Sequence, residues 1–167
     1  WLPNVEGLLW FLDAVWPTVI AARPAATLHI VGRNPQRALL KRASDRITVA
    51  GSVEDVREHV QDAAAFVVPL LAGGGTRLRV LEAMAMRIPI VSTRMGVEGI
   101  QCTSGQHVLV ADTPENFSRQ LIALLDDNGT AESLTRAGRQ LVEQHYSWQA
   151  IGDKLDSFYK QMARSKP

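Results

Sequence analysis

The apolar positions along the chain follow two spacings, one typical of helices and one typical of buried strands. From Val5 to about Ala22 the apolar residues recur at helical spacing, with Asn4 as the predicted N-cap and Pro17 placed to kink or end the helix. Short, uninterrupted apolar runs then predict strands at 26–32, 47–51, 64–70, 89–93 and 107–110. The other predicted helices are 35–43, 53–60, 76–86, 114–125, 131–145 and 148–162.

This alternation predicts an α/β fold: a Rossmann-like, doubly wound parallel sheet of about five strands, flanked by helices, with the C-terminal helices packed on it. The length of 167 residues fits one domain, which we place at 1–163, followed by a polar tail at 164–167. Ligands of such sheets bind beyond the carboxyl ends of the strands. The candidate functional residues are therefore those that follow the strands, at 32–34, 51–53, 70–77 and 93–98.

Composition and charge exclude several classes of function. Eighteen basic and seventeen acidic residues leave a net charge of +1, which gives no basis for binding nucleic acid or an anionic membrane. The single cysteine, Cys102, cannot form an internal disulfide and suits a reducing compartment. The longest apolar runs are shorter than the ~20 residues of a membrane-spanning helix, and the first residues carry neither a methionine nor a basic leader. We therefore expect a cytoplasmic, internal fragment of a longer protein.

The histidines and tryptophans are interpreted as structural residues. The four histidines show no spacing typical of metal ligands, so we predict no metal site. The tryptophans are expected to pack rather than to form a platform for sugar rings, and they are Trp1, Trp10, Trp16 and Trp148. The sequence contains no Ser-His-Asp set and no Walker A motif.

The strongest candidate for binding chemistry is the glycine-rich connection Gly73-Gly74-Gly75, which joins a predicted strand to helix 76–86. Glycine adopts positive φ without strain and lets the backbone approach a ligand closely. The helix N-terminus that begins at Thr76 offers free amides that favour a phosphate. Arg77 lies in the first turn, where a cation opposes the helix dipole, so a phosphate partner would explain its presence. A flexible loop and a surface charge are the alternative interpretations.

Two further charged residues of this helix are Arg79 and Glu82. Glu82 lies within two turns of Thr76 on a neighbouring face, and its carboxylate could bind the two hydroxyls of a ribose. A solvated helix residue is the alternative for Glu82. Arg77 and Arg79, together with the loop amides, would stabilise the negative charge of a departing diphosphate.

The ends of the first two predicted strands supply further candidates. Gly32 would let a nucleotide or sugar approach, and Arg33 would reach a diphosphate. The backbone at Val53 would pair with the edge of a base. An ordinary turn at Gly32 and a helix capped by Ser52 are the alternatives.

In their order and spacing these motifs resemble the C-terminal domain of the group 1 family of glycosyltransferases, which have the two-domain GT-B architecture. The resemblance extends over nearly the whole chain. The motifs that carry it, besides the run 73–85, are Pro3-Asn4-Val5-Glu6-Gly7 with Trp10-Phe11, Leu28-His29-Ile30-Val31-Gly32-Arg33, Val49-Ala50-Gly51-Ser52-Val53-Glu54-Asp55-Val56, Val68-Pro69-Leu70, Pro89-Ile90-Val91-Ser92-Thr93, Gly96-Val97-Glu98-Gly99 and Tyr146-Ser147-Trp148.

The resemblance implies donor binding. In that family the C-terminal domain holds a nucleotide-diphosphate sugar and the N-terminal domain holds the acceptor. Transfer in the cleft between them usually retains the anomeric configuration and needs no essential metal. By position, Glu82 matches the second glutamate of the family's Glu-x7-Glu motif, which contacts ribose. Gly75 and Thr76 match the loop over the diphosphate, Val53 matches the backbone that meets the base, and Arg79 stands where many members have lysine.

This chain departs from the family in three places. Gly74 stands where the family's first glutamate meets the donor sugar, so loop amides would contact the sugar instead. Arg87 stands where glycine usually ends the helix, at a cost of roughly 1 kcal/mol if this residue is left-handed. One more strand and the acceptor domain precede Pro3-Asn4 in the family. We therefore predict an exposed sheet edge in this chain.

The favoured hypothesis is the donor-binding half of a glycosyltransferase, inactive alone, whose parent acts on a glycan or lipid-linked acceptor. The alternatives are a non-catalytic domain that has lost its first glutamate and a sugar-nucleotide epimerase of the same architecture. A dehydrogenase is disfavoured because no Gly-x-Gly-x-x-Gly follows the first strand. The expected partners are a nucleotide sugar and the missing acceptor domain, through which any peripheral contact with a membrane would be made.

Overall fold

The computed structural model describes residues 2–164. Trp1 and residues 165–167 lie outside the described residues, so the predictions for Trp1 and for most of the tail stay predictions. The helices are α1 (Leu2–Trp10), α2 (Trp16–Ala22), α3 (Arg37–Leu40), α4 (Arg57–Val60), α5 (Leu78–Ala85), α6 (Pro114–Asp126), α7 (Asn128–His145) and α8 (Trp148–Arg164). The strands are β1 (Leu28–Val31), β2 (Ile47–Ala50), β3 (Phe66–Val68), β4 (Ile90–Ser92) and β5 (Leu109–Val110).

Every predicted strand and helix is present, and most are shorter than predicted. The strand expected at 64–70, for example, is hydrogen-bonded as a strand only from Phe66 to Val68. Its partner β4 has three residues before the chain turns at Thr93, and a strand cannot be longer than the ladder that its neighbour offers. The sequence pattern thus locates the elements, while the pairing partners limit their length.

The first helix of the chain contains a π-helical segment (Phe11–Val15) between α1 and α2. The amide of Trp16 donates to the carbonyl of Phe11, five residues back. Pro17 follows directly, and because proline has no N–H and its ring crowds the carbonyl four residues back, a wider turn relieves the conflict. The predicted kink therefore takes the form of a π-bulge. The predicted N-cap Asn4 is wrong, because the helix begins at Leu2, with Pro3 in its favourable first turn.

Among the described residues, Leu2–Ala22 is a helix of 21 residues that is long and apolar enough to cross a membrane by length and composition. The prediction from the sequence considers only uninterrupted apolar runs as possible membrane helices. It does not include this segment, because polar residues interrupt it. Phe11, Val15 and Val19 have no exposed surface and lie in the core of the domain. Burial of this kind is typical of the core helix of a folded domain.

The five strands are all parallel, as predicted, and they form two sheets. β1 pairs with β2, from Leu28 opposite Ile47 to Val31 opposite Ala50, and β4 lies between β3 and β5. Within residues 2–164, β1 and β3 share no ladder, so each has an unpaired edge. The order within each sheet is compatible with a doubly wound arrangement. The unpaired edges lie in the middle of the strand order, and the prediction that a preceding strand is missing stays a prediction.

Helices cover both faces of the strands. Side chains alternate along a strand, so the neighbouring residues Ile90 and Val91 of β4 point to opposite layers. Val91 packs in a cluster with Phe11 and Phe117, whose rings meet edge to face with centroids 5.7 Å apart. Ile90 packs in a second cluster, built largely from α5 and α7. The strands near β4 thus lie between two helical layers, as a doubly wound fold requires.

The tryptophans and the last helix differ in part from expectation. Trp16 is buried, and Trp10 packs on Phe117 with ring centroids 5.8 Å apart, so both are packing residues as predicted. The prediction is wrong for Trp148, which is 89% exposed. It begins an exposed apolar stripe on α8, because residues 151–163 are all exposed although α8 contacts α7. The packed C-terminal helices are therefore α6 and α7.

Helix α5 ends in a left-handed arginine. Arg87 has φ 59°, its amide donates to the carbonyl of Met84 at 3.1 Å, and the amide of Ile88 donates to the carbonyl of Ala83 at 3.0 Å. This pair of hydrogen bonds is a Schellman cap, in which glycine is the usual left-handed residue. The departure from glycine at position 87 is accommodated without a change in how the helix ends. The side chain therefore sits on a strained backbone.

We predict that Arg87→Gly raises the free energy of unfolding by about 0.5–1 kcal/mol, because glycine has no Cβ to oppose the left-handed conformation. Urea denaturation followed by circular dichroism measures the change. Arg87→Ala is the matched control; it removes the charge and keeps the Cβ, so we expect no comparable gain. An equal gain in both variants would assign the effect to charge and contradict the backbone explanation.

Candidate functional site

The glycine-rich loop between β3 and α5 has the unusual backbone that its sequence predicts. Gly73 has φ 124° and Gly75 has φ 93°, both conformations that other residues rarely adopt. Gly74 is not among the residues with positive φ, and a Cβ added to it would meet no heavy atom within 4 Å. Gly74, Gly75 and Thr76 are exposed. The loop therefore presents its backbone to solvent at the carboxyl end of β3.

Arg77 lies beneath this loop and is 9% exposed. Its guanidinium donates to four backbone carbonyls, those of Gly73 (2.9 Å), Gly74 (2.9 Å), Gly75 (3.2 Å) and Met95 (3.1 Å). The carboxylate of Glu98, itself mostly exposed, lies 3.4 Å away. These acceptors replace the water that a buried cation loses. The pairing of Arg77 with a phosphate stays a prediction, and in this conformation its N–H groups already face protein acceptors.

The loop after β4 holds Met95 in position for this contact. The hydroxyl of Thr93 donates to the carbonyl of Leu70, and the amide of Gly96 donates back to that hydroxyl at 3.1 Å. A Cβ on Gly96 would lie 2.3 Å from the Ser92 hydroxyl oxygen, so only glycine fits here. The short 3₁₀ helix Met95–Val97 is therefore locked against the ends of β3 and β4. The sequence marked the stretch 93–98 as a candidate because it follows a strand, but assigned it no role.

Arg79 and Glu82 lie together on the exposed side of α5. The Arg79 guanidinium and the Glu82 carboxylate form an ion pair at 2.7 Å, one turn apart on the helix, with side-chain exposures of 69% and 50%. Both side chains are accessible to a ligand. An exposed pair of this kind stabilises a helix by only ~0.3–0.5 kcal/mol. Its geometry is compatible with the ribose contact proposed for Glu82 and with the solvated alternative.

The remaining predicted residues, Gly32, Arg33 and Val53, lie at the ends of β1 and β2. The amide of Gly32 donates to the carbonyl of Ala50 at 3.4 Å, which holds the two strand ends side by side. Arg33 is exposed. Val53 is half-buried and lies in an irregular connection, because α4 begins only at Arg57 and not at 53 as predicted.

Asp55, rather than Ser52, satisfies the start of α4. Its carboxylate accepts a hydrogen bond from the amide of Arg57 at 2.9 Å. Hydrogen bonds from the Arg57 side chain and amide lower the pKa of the Asp55 carboxyl. The alternative in which Ser52 caps this helix is therefore wrong. The backbone at Val53 is left outside the helix.

Two grooves lie on the surface of the described residues. A groove of about 370 Å³ lies beyond the carboxyl ends of β4 and β5, where Arg94, Glu98 and Asp112 line it. Burial raises the pKa of the Cys102 thiol on its wall, which keeps that group neutral. A second groove of about 570 Å³, between the π-helical segment and α6, contains none of the predicted site residues. Within residues 2–164 no group of three or more His, Cys, Asp or Glu side chains could hold a metal ion.

Comparison with known proteins agrees with this architecture. A family model described as "Glycosyl transferases group 1" matches residues 1–127. The GDP-mannose-dependent monoacylated alpha-(1-6)-phosphatidylinositol monomannoside mannosyltransferase of Corynebacterium glutamicum is 31% identical over 162 residues. That match covers 89% of this chain and 42% of the mannosyltransferase. The chain thus spans less than half the length of this relative.

Solved structures share the fold at lower identity. The C-terminal domain of a glycosyl transferase group 1 family protein (LpcC) from Francisella tularensis has a TM-score of 0.71 at 20% identity, covering 89% of this chain and 82% of that chain. A TarM variant of S. aureus in complex with UDP has a TM-score of 0.72 at 15% identity, covering 93% of this chain and 32% of that chain. These likenesses establish the Rossmann-like fold found in GT-B glycosyltransferases.

The loop geometry predicts opposite outcomes for two neighbouring glycines. Gly75→Ala should lower the free energy of unfolding by about 1–3 kcal/mol, because a Cβ at this positive φ is strained. Gly74→Ala should change it by less than about 0.5 kcal/mol, since space is open around position 74. Urea denaturation of the two variants gives the comparison. Equal losses would contradict the loop conformation described above.

Proposed function

Because the chain belongs to the group 1 glycosyltransferases, we propose that it is the donor-binding half of an enzyme that transfers a sugar from a nucleotide-diphosphate sugar. The observation that carries this proposal is the exposed glycine loop at the start of α5, with its unusual backbone. Two similar proteins support the ligand class, since one is named as GDP-mannose-dependent and the structure of the other is in complex with UDP.

The diphosphate is assigned to the loop and the first turn of α5. Amides of Gly74, Gly75 and Thr76 would donate to its oxygens, and the positive end of the helix dipole would favour its charge. Arg79, which is exposed on the same helix, would approach the diphosphate from the side. These donors would stabilise the charge that develops on the leaving diphosphate, without any group having to move during the reaction.

The nucleoside is assigned to Glu82 and to the ends of β1 and β2. The Glu82 carboxylate would accept hydrogen bonds from the two ribose hydroxyls, which requires exchange of its Arg79 partner for the ligand. The backbone at Val53 would pair with the base. Gly32 leaves room for the ligand, and Arg33 adds an exposed cation near the same strand ends.

The acceptor is assigned to a part of the parent protein outside this chain. The chain corresponds to 42% of the mannosyltransferase, which leaves room for an acceptor-binding domain. The name of that relative includes a phosphatidylinositol monomannoside, which supports a lipid-linked acceptor. A glycan is the other class of acceptor proposed. On this proposal the parent is cytoplasmic, its membrane contact is made through the acceptor domain, and transfer needs no metal.

One observation favours a second function. Gly74 stands where the family's first glutamate is expected, and a side chain at 74 would have open space around it. A non-catalytic domain that still binds nucleotide sugars would have the same structure. Turnover separates the two functions, because a longer parent chain containing residues 1–167 hydrolyses or transfers a donor sugar only if the site is catalytic.

The proposed function predicts saturable binding of one nucleoside diphosphate among UDP, GDP and ADP in isothermal calorimetry. Glu82→Ala should weaken that binding by about 10- to 100-fold, the loss expected when hydrogen bonds to a charged group are removed. Glu143→Ala is the matched control, since Glu143 is also an exposed helical glutamate paired with an arginine, Arg139. Absence of binding by the folded chain, or equal losses in the two variants, would contradict the proposal.

A further inference from the structure

Arg77 is a buried arginine whose hydrogen bonds go mainly to backbone carbonyls, with the mostly exposed Glu98 carboxylate 3.4 Å from its guanidinium. Its side chain is 7% exposed, and it donates to three consecutive carbonyls of the glycine loop and to the carbonyl of Met95. A guanidinium has five N–H groups in a planar fork, which is enough to serve these acceptors together. Its neighbour Arg79, two residues later, is exposed. The two arginines that follow the loop are therefore placed for different tasks.

The orientation of three amides follows from these contacts. The peptide group is planar and trans, so its N–H points opposite to its carbonyl. The carbonyls of Gly73, Gly74 and Gly75 point at the buried guanidinium. The amides of the next residues, Gly74, Gly75 and Thr76, therefore point away from it, toward the exposed side of the loop. Within residues 2–164 these three amides donate to no protein acceptor.

We infer that Arg77 is a positioning residue for the donor diphosphate: it acts through the loop carbonyls to hold the amides of Gly74, Gly75 and Thr76 facing the ligand. The inference rests on the proposed function, and it changes the role of Arg77 from a direct phosphate partner to a fixed support. A glycine-rich loop without such a support would sample many conformations and would have to be ordered at each binding event. The contact with Met95 also ties the loop to the end of β4.

Lysine cannot replace arginine in this role. Its ammonium keeps the positive charge but is a point charge with three donors on a flexible stem. It can therefore reach one or two of the four carbonyls, and the remaining peptides become free to rotate. If Arg77 served the phosphate by charge alone, lysine would be an adequate substitute. Arg77→Lys thus separates positioning from direct electrostatics.

The test is calorimetry of Arg77→Lys with the nucleoside diphosphate that binds the unaltered chain, and with the corresponding nucleoside. We expect diphosphate affinity to fall by at least about tenfold, and nucleoside affinity to stay within about twofold. Arg139→Lys is the matched control, because Arg139 donates to the carbonyl of Ala85 far from the loop. Diphosphate affinity retained in Arg77→Lys would overturn the inference. Equal loss of nucleoside and diphosphate would also overturn it, since it would mean general damage.

A second measurement uses only the unaltered chain, so it does not depend on whether a variant folds. If Arg77 fixes the loop, ¹⁵N relaxation of the unaltered, ligand-free chain gives order parameters near ~0.85 for the amides of Gly74, Gly75 and Thr76. Values below ~0.6 mark a flexible loop, and they would overturn the positioning role directly. Absence of diphosphate binding by the unaltered chain, with a rigid loop, would instead count against the proposed function. The two failures are therefore distinguishable.

Discussion

The candidate site depends on the solvation of one buried cation by the backbone around it. A guanidinium removed from water is costly unless its N–H groups find acceptors, and Arg77 finds four carbonyls. Three of them belong to the glycine loop after β3 and one to the 3₁₀ helix after β4. One side chain therefore fixes two neighbouring strand ends relative to each other. The loop carbonyls face the Arg77 guanidinium beneath them, and the loop amides are therefore left on the exposed surface.

The ends of the glycine loop are held by close packing of α1 and of the loop after β4. A Cβ on Gly7 would lie 2.1 Å from the carbonyl oxygen of Pro69, so α1 packs directly on the residues that lead into the loop. A Cβ on Gly96 would lie 2.3 Å from the Ser92 hydroxyl oxygen and 2.8 Å from Cγ1 of Val68, so the loop after β4 is also held close. The strands and the close helix contacts hold the two ends of the glycine loop. The exposed amides between these ends are available to bind a ligand. This division between scaffold and site is the usual one for parallel α/β sheets.

Much of the fold could be predicted from the sequence, because buried strands and amphipathic helices have distinct apolar spacings. The form of the kink at Pro17 could not, since a proline can end a helix, bend it or widen one turn, and the exposure of Trp148 could not, since it depends on what packs nearby. The glycine loop was visible as a motif. The sequence also singled out Arg77, but placed it in the first turn of the helix, whereas α5 begins one residue later, at Leu78. The support that Arg77 gives to the loop was not visible, because that role requires Met95, 18 residues away, to lie beside it.

The most direct test of donor binding is a ¹H–¹⁵N spectrum of the chain during titration with UDP, GDP or ADP. The account predicts that one diphosphate shifts the amides of Gly74, Gly75 and Thr76 in a saturable way, and that the nucleoside alone leaves these amides in place. Shifts confined to the groove between the π-helical segment and α6, near Thr18 and Ser118, would contradict it.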